Sequence, residues 1–154
     1  MSIPFNFIFA GFLIVVFIVV AFIAARAFLS TGQCYRVGIF YDDLQGKVDE
    51  AWHSQKSDFE FEVNLPSGIE RICFANLSAD ITGLSSDYNA IRDYYLEDAN
   101  LFLIPVEKAC DMGWKKIEHI NLSKIILNRN PYCVDVGNKL VIKKDFYDGA
   151  VRIS

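Results

Sequence analysis

The chain opens with an uninterrupted apolar run at residues 5–29, which contains one charge, Arg26, and one amide, Asn6. A helix drawn through this run is apolar on every side, whereas a surface helix of a soluble domain shows a polar stripe. Roughly 20 apolar residues in a helix span the hydrocarbon of a bilayer. The pattern therefore predicts a hydrophobic helix over residues 1–30 that crosses a membrane or fills the core of a filament.

The polar residues 30–33 predict the end of this helix. Residues 34–41 are aromatic and β-branched, which favours a first β-strand and leaves almost no linker after the helix. The next segment, residues 42–58, is mostly polar, contains Gly46 and has Trp52 as its large apolar anchor, and it predicts a loop with a helical turn. We therefore expect a β-rich domain at residues 33–154.

A strict alternation of apolar and polar side chains at residues 59–65 predicts a half-buried strand. Pro66 and Gly68 supply the chemistry of a turn, because proline fixes φ and glycine accepts a positive φ. Residues 69–76 then return with strand-forming side chains. The pattern predicts a β-hairpin.

The remaining segments predict one short helix and several short strands. They are a loop at 77–86, a helix at 87–98, a strand at 100–106, an ambiguous helix or strand at 114–122, a strand at 123–127, a hairpin of strands 132–136 and 139–143, and a last strand at 150–153. Short strands separated by turns are typical of a β-sandwich or an open barrel. The predicted fold class is mainly β, with an N-terminal hydrophobic helix followed by a β-sandwich-like domain.

Charge narrows the classes of partner. Arg26 is the one base that precedes residue 30, so the later part of the chain has 14 bases against 19 acids, a net charge of −5. A surface that binds nucleic acid needs clustered Lys and Arg. The balance argues against a nucleic-acid partner.

The apolar run differs from a cleaved secretory signal, which has a basic n-region and an apolar core of about 7–15 residues. No basic residue precedes the run, and the run is longer than that core. We expect a retained anchor. The positive-inside rule, applied to Arg26 and Arg36, would place the domain in the cytoplasm, whereas the cysteines favour an extracellular domain or filament.

Four cysteines, Cys34, Cys73, Cys110 and Cys133, are spread over the domain without a C-x-x-C pair, so zinc is disfavoured. Two disulfides in an oxidising compartment are the favoured interpretation, and four buried thiols are the alternative. Sequence alone allows three pairings. We favour Cys73–Cys133 and Cys34–Cys110.

Two N-glycosylation sequons begin at Asn76 and Asn121 and add slight weight to an extracellular domain.

The sequence contains no clear arrangement of catalytic residues. The two histidines, His53 and His119, have no evident nucleophile, although either one is a conceivable base for Cys110. Carboxylate pairs lie in predicted loops, and neither a calcium loop nor a glycine-rich phosphate loop is present. We expect no enzyme activity, no cofactor, no metal and no small-molecule substrate.

The Phe-rich opening Pro4-Phe5-Asn6-Phe7-Ile8-Phe9-Ala10-Gly11, joined to a β-domain, resembles small membrane-anchored archaeal surface proteins of unknown function. The run from Leu65 to Phe74 resembles a hairpin of that group, and the order of helix then β-domain is similar to archaeal type IV pilins. Pilins carry a basic residue and a glycine before their cleavage point, and this chain has neither near Met1. The resemblance implies an architecture and no catalytic residues.

The favoured function is a non-enzymatic structural subunit of a cell-surface assembly, a homo-oligomer whose helices pack against membrane lipid or against copies of the chain. The small residues that would allow close helix packing are Gly11, Ala21, Ala24 and Ala25. The alternative is a single-pass extracellular binding module, an adhesin or receptor-like domain that binds through loops 42–58 and 77–86, with Trp52 either exposed or packed on the domain. An anchored hydrolase is a third option.

Overall fold

The computed structural model describes residues 5–154, apart from the side chains of residues 5, 6 and 29–31. The chain divides into two compact units, one that ends at Gln33 and one that runs from Cys34 to Ser154. Helix α1, Phe5–His53, contains the boundary between them. The predicted helix is therefore present from residue 5, whereas residues 1–4 of that prediction lie outside the described residues. Its predicted end at residue 30 is wrong.

The second unit begins with the last part of α1, where the sequence predicted a strand at 34–41 and a loop at 42–58. Both predictions are wrong, because this part is helical as far as His53. Its buried residues recur every three or four positions, which is the period of a helix with one face in a core. They are Val37, Phe40, Tyr41, Leu44, Val48 and Ala51.

Seven strands and two short α-helices follow. In chain order these are β1 Ser57–Glu62, β2 Arg71–Phe74, α2 Ser85–Ile91, β3 Leu101–Ile104, β4 Trp114–Lys115, α3 Leu122–Ile125, β5 Tyr132–Asp135, β6 Lys139–Lys144 and β7 Arg152–Ile153. Single 3₁₀ turns occupy Arg92–Tyr94 and Val106–Lys108. The predicted fold class, an apolar N-terminal helix followed by antiparallel sheets, is confirmed, with one short helix more than expected.

The strands form two antiparallel sheets, one with the order β1-β6-β7 and one with the order β4-β3-β2-β5. Strand β1 pairs with β6, and β2 pairs with β3 and β5. Both predicted hairpins are therefore wrong in their pairing, although their strands exist. The connection from β1 to β2 and the connection from β5 to β6 each pass from one sheet to the other, and they run next to each other. There, Val63 N–H donates to the Asn138 carbonyl and Val136 N–H donates to the Glu70 carbonyl.

The main core lies where the last part of α1 meets both sheets. The fully buried side chains of Leu44, Ile72, Leu103 and Leu140 belong to it. The four-stranded sheet is also buried on its other face, where Cys73, Phe102 and α2 residue Ile91 form a second cluster. A strand buried on both faces carries a continuous apolar run instead of an alternating one, as the confirmed strand at residues 101–104 does.

Three smaller predictions differ from the structure. The predicted helix at 87–98 is α2 followed by a 3₁₀ turn. The predicted strand at 123–127 is wrong, because Leu122–Ile125 is the helix α3, which begins where the Asn121 side chain accepts a hydrogen bond from Lys124 N–H. The ambiguous segment at 114–122 begins with the two-residue strand β4 and ends at the first residue of α3.

Candidate functional site

The apolar surface of α1 between residues 7 and 28 is the most prominent feature of the first unit. Its side chains are exposed on every side of the helix, among them Phe12, Phe17 and Phe22. The one charge, Arg26, places its guanidinium 4.5 Å from the centroid of the Phe22 ring. The helix is long and apolar enough to cross a membrane by length and composition, with a mean hydropathy of 3.2 in its most apolar window.

The four predicted packing residues are all exposed on this surface. Ala21, Ala24 and Ala25 are spaced three and four residues apart, so they share one side of the helix. A Cβ atom added at Gly11 would meet no atom within 4 Å. The small side chains therefore leave room for the close approach of another helix or of lipid chains.

Two disulfides fasten the second unit, with the pairing favoured from the sequence. Cys34 in α1 is bonded to Cys110, which follows the 3₁₀ turn Val106–Lys108. Nearby, the Tyr41 hydroxyl donates to the Met112 carbonyl at 2.8 Å, and burial raises the pKa of Tyr41 far above its usual value. Cys73 and Cys133 face each other directly across β2 and β5.

Four side chains at the end of α1 and on the segment between β4 and α3 form a polar clasp, which consists of Gln45, Asp49, Trp52 and His119. The His119 ring lies flat on the Trp52 indole, with ring centroids 3.8 Å apart and planes 6° apart. His119 Nδ1 lies 2.9 Å from Asp49 Oδ1, which also accepts a hydrogen bond from Gln45 Nε2 at 2.7 Å. His119 has a φ of 63°, a conformation uncommon outside glycine.

The electrostatics of the clasp follow from these contacts. The hydrogen bond with His119 lowers the pKa of Asp49, and the hydrogen bond from Gln45 acts in the same direction. The second histidine, His53, bonds through Nδ1 to the Asp49 carbonyl at 2.7 Å. The clasp thus joins α1 to the segment between β4 and α3.

An Asp–His pair activates a nucleophile only when a hydroxyl or thiol lies within hydrogen-bond reach of the ring. Within residues 5–154, neither histidine ring has such a neighbour, and Cys110 is in a disulfide. The same part of the chain contains no group of three His, Cys, Asp or Glu side chains placed to hold a metal ion.

The two sequon asparagines differ in their surroundings. Asn76 is exposed, and its carboxamide oxygen accepts a hydrogen bond from Ser78 N–H at 3.0 Å. Asn121 is half-buried and caps α3. Asn76 is therefore the more accessible acceptor.

The surface expected to carry a binding module also differs from the prediction. The expected loop at 42–58 is mostly helix, and Trp52 is half-buried against His119. Two exposed aromatic residues that the sequence analysis overlooked, Phe146 and Tyr147, lie in the turn between β6 and β7. The sequence did contain a signal for this exposed turn, because Phe146 and Tyr147 are adjacent and lie between two aspartates, which favour turns.

Ion pairs brace this aromatic turn. Arg152 pairs with Asp145 and Asp148, and Lys124 Nζ lies 2.9 Å from the Asp148 carboxylate. Lys124 is the main cause of a lowered pKa at Asp148. The braced turn presents aromatic rings to solvent without a core contact.

The chain matches no family model, no curated protein and no solved structure. The resemblance to archaeal pilin-like surface proteins accordingly stays a prediction.

Proposed function

We propose that the protein is a non-enzymatic structural subunit of a cell-surface assembly, held by its N-terminal helix in a membrane or a filament core. The observation that carries the proposal is the exposed apolar surface between residues 7 and 28. Exposed apolar surface costs about 25 cal/mol per Å² in water. A surface of this extent needs cover, and patches of this kind mark membrane or protein contacts.

The small residues favour contact between copies of the chain. Helices in lipid approach closely where their interfaces carry Gly and Ala, because there is no hydrophobic driving force between them and packing decides the contact. Gly11 and Ala25 lie about four turns apart along α1 and so fall near the same side of it. Ala21 adds a third small side chain close to that side.

The two disulfides support an extracellular second unit. Disulfides persist in oxidising compartments and are rare in the cytosol. Each of the four cysteines is paired within the described chain. The proposed arrangement therefore has the second unit outside the cell.

The test is a pair of substitutions on opposite sides of α1. Gly11→Leu fills the open space beside Gly11, and we expect it to reduce cross-linked oligomers in membranes by about tenfold. Val20→Leu is the matched control, because it lies nine residues away and so on the opposite side of the helix. Its yield of oligomers should equal that of the unmodified chain.

Electron microscopy of shed surface material should show filaments or regular assemblies. Dispersed monomers in detergent, with no cross-linked species from any variant, would refute a structural subunit.

The aromatic turn favours a second candidate, an anchored binding module that works alone. The side chain of Tyr147 is fully exposed, and aromatic side chains are enriched among the residues that contribute most to protein–protein binding. Pull-down with a fragment from Gln33 onward distinguishes the candidates, since a module keeps its partner without the helix. Phe146→Ala with Tyr147→Ala should then abolish the capture.

A further inference from the structure

A cavity of about 360 Å³ opens between the first turns of α1 in the second unit and strand β1. Its wall carries three charged side chains, Arg36, Asp43 and Glu62. Binding cavities of roughly this volume upward hold small ligands in other proteins. The charged groups decide which ligand chemistry fits.

Within the described residues, these three side chains form no close ion pair and no hydrogen bond, and Lys139, opposite Glu62 on β6, attracts that carboxylate only at longer range. Their neighbours show the contrast, because Asp42 pairs with Lys115 and Glu60 pairs with Lys139. Arg36 and Asp43 are two turns apart on α1, or about 10 Å along its axis. That spacing keeps them from pairing and leaves room for a small group between them.

The floor of the cavity is apolar. It is formed by Ile39 and by the rings of Phe40 and Phe61, whose centroids lie 6.0 Å apart. A ligand with both charges and carbon chains would bury its methylene groups there. The cavity thus combines one positive subsite, one negative subsite and an apolar surface.

The position of Arg36 in the chain points to the source of such a ligand. It follows Leu29, the last residue of the apolar run, by seven residues, which span at most about 25 Å of chain. If the run lies in a bilayer, as the proposed function holds, the cavity is within reach of the lipid headgroups. Two carboxylates against one guanidinium disfavour an anionic headgroup.

We propose that this cavity binds the zwitterionic headgroup of an aminophospholipid, with the phosphate at Arg36 and the ammonium between Asp43 and Glu62. Phosphatidylethanolamine has this chemistry. Its ammonium donates hydrogen bonds to the carboxylates, which the methylated ammonium of phosphatidylcholine cannot do. Charge-assisted bonds of this kind are the strong ones.

The test uses the full-length chain in detergent with phosphatidylethanolamine, phosphatidylcholine or phosphatidylglycerol, and native mass spectrometry counts the lipids that stay bound. We expect phosphatidylethanolamine to be retained at least about tenfold better than the other two. The double variant Asp43→Asn with Glu62→Gln should lose this preference, as should Arg36→Gln. Glu97→Gln removes an exposed carboxylate outside the cavity and should leave the preference unchanged.

Equal retention of the three lipids by the unmodified chain would overturn the proposal. So would soluble phosphoethanolamine that binds as tightly as the lipid, because the ligand would then be a free zwitterion. Fractionation of the host membranes is done in parallel and tests the anchor itself. Recovery of the protein outside the membrane fraction would refute the proposed function. A membrane-bound protein that shows no lipid preference would refute only the headgroup site.

Discussion

At the scale of single residues, the polar clasp at the end of α1 connects that helix to the segment between β4 and α3, through the hydrogen bond of Asp49 with His119. The hydrogen bond with His119 lowers the pKa of Asp49 in the folded chain. A carboxyl whose folded pKa lies below its unfolded value contributes stability above the unfolded pKa, near 3.9. That contribution disappears as the pH falls through the folded pKa.

We therefore expect Asp49→Asn to flatten the acid limb of the stability profile. Between about pH 5 and pH 2, the free energy of unfolding of the unmodified chain should fall further than that of the variant. The difference should be at most about 1 kcal/mol, since the Asp49–His119 pair is half-exposed and solvent weakens it. Urea unfolding across this pH range measures the difference. Asp80→Asn, an exposed carboxylate outside the clasp, should keep the profile of the unmodified chain, and an unchanged acid limb in Asp49→Asn would contradict the role of the clasp.

The disulfides allow a second prediction at this scale. They close loops with sequence separations of 76 and 60 residues, and a loop of either length contributes about 4 kcal/mol in the chain-entropy model. Loss of Cys34–Cys110 by a double serine substitution should lower the free energy of unfolding by about that amount. Cys73→Ala with Cys133→Ala should cost more, because Cys73 is also fully buried in the second core cluster.

Denaturant unfolding of the full-length chain without reductant gives both values. Reductant should bring the unmodified chain down to the stability of a chain without either bond. A disulfide-free variant as stable as the original would show that the bonds do not constrain the fold.

At the scale of elements, the sequence predicted the apolar helix from its lack of any polar side, and it predicted a strand at residues 59–65 from strict alternation, where the structure has β1 at Ser57–Glu62. The alternation along β1 is visible in its burial, with every second side chain half-buried. The continuation of α1 was missed because strand-forming residues such as Tyr35, Val37 and Ile39 set the local preference. The seven- and four-residue spacing of Val37, Leu44 and Val48, which is the period of one helix face, was present in the sequence, and packing of that face on both sheets decides the outcome.

Strand pairing could not be predicted in the same way. The turn at Gly68, with a φ of 103°, and the turn at Gly137 both exist, but neither joins two paired strands. At each turn the chain leaves one sheet and enters the other, and side chains of both sheets pack with the last part of α1 in one core. Local turn chemistry carries no information on that tertiary choice, so the two hairpins exchanged partners.

Gly46 tests whether the last part of α1 is a helix. It lies in the helix interior, is exposed, and an added Cβ atom would meet nothing within 4 Å. Gly46→Ala should therefore raise the free energy of unfolding by roughly 0.5–1 kcal/mol. Gly46→Pro should lower it by about 3 kcal/mol or more, and a loop at this position would show neither effect when thermal or urea unfolding is measured.

At the scale of the whole molecule, the chain combines a unit whose described side chains at residues 7–28 are all exposed, and a unit with two core clusters and two disulfides. The first unit exposes apolar side chains throughout, so its stability depends on what surrounds it. The second unit carries its own constraints and suits an environment outside the cell. The sequence predicts this contrast between the two units without any assignment of helices or strands, because the apolar run lies at residues 5–29 and all four cysteines come after it.

The side of the membrane on which the second unit lies is open to a direct test. All four native cysteines are in disulfides, so a single new thiol reports its own location. We expect Tyr147→Cys, at a fully exposed position, to react with a membrane-impermeant maleimide on intact cells. A thiol introduced by Ser2→Cys, before the apolar run, should react only after the cells are permeabilised. The reverse pattern would place the second unit in the cytosol, where the two disulfides would not persist, and would contradict the proposed extracellular assembly.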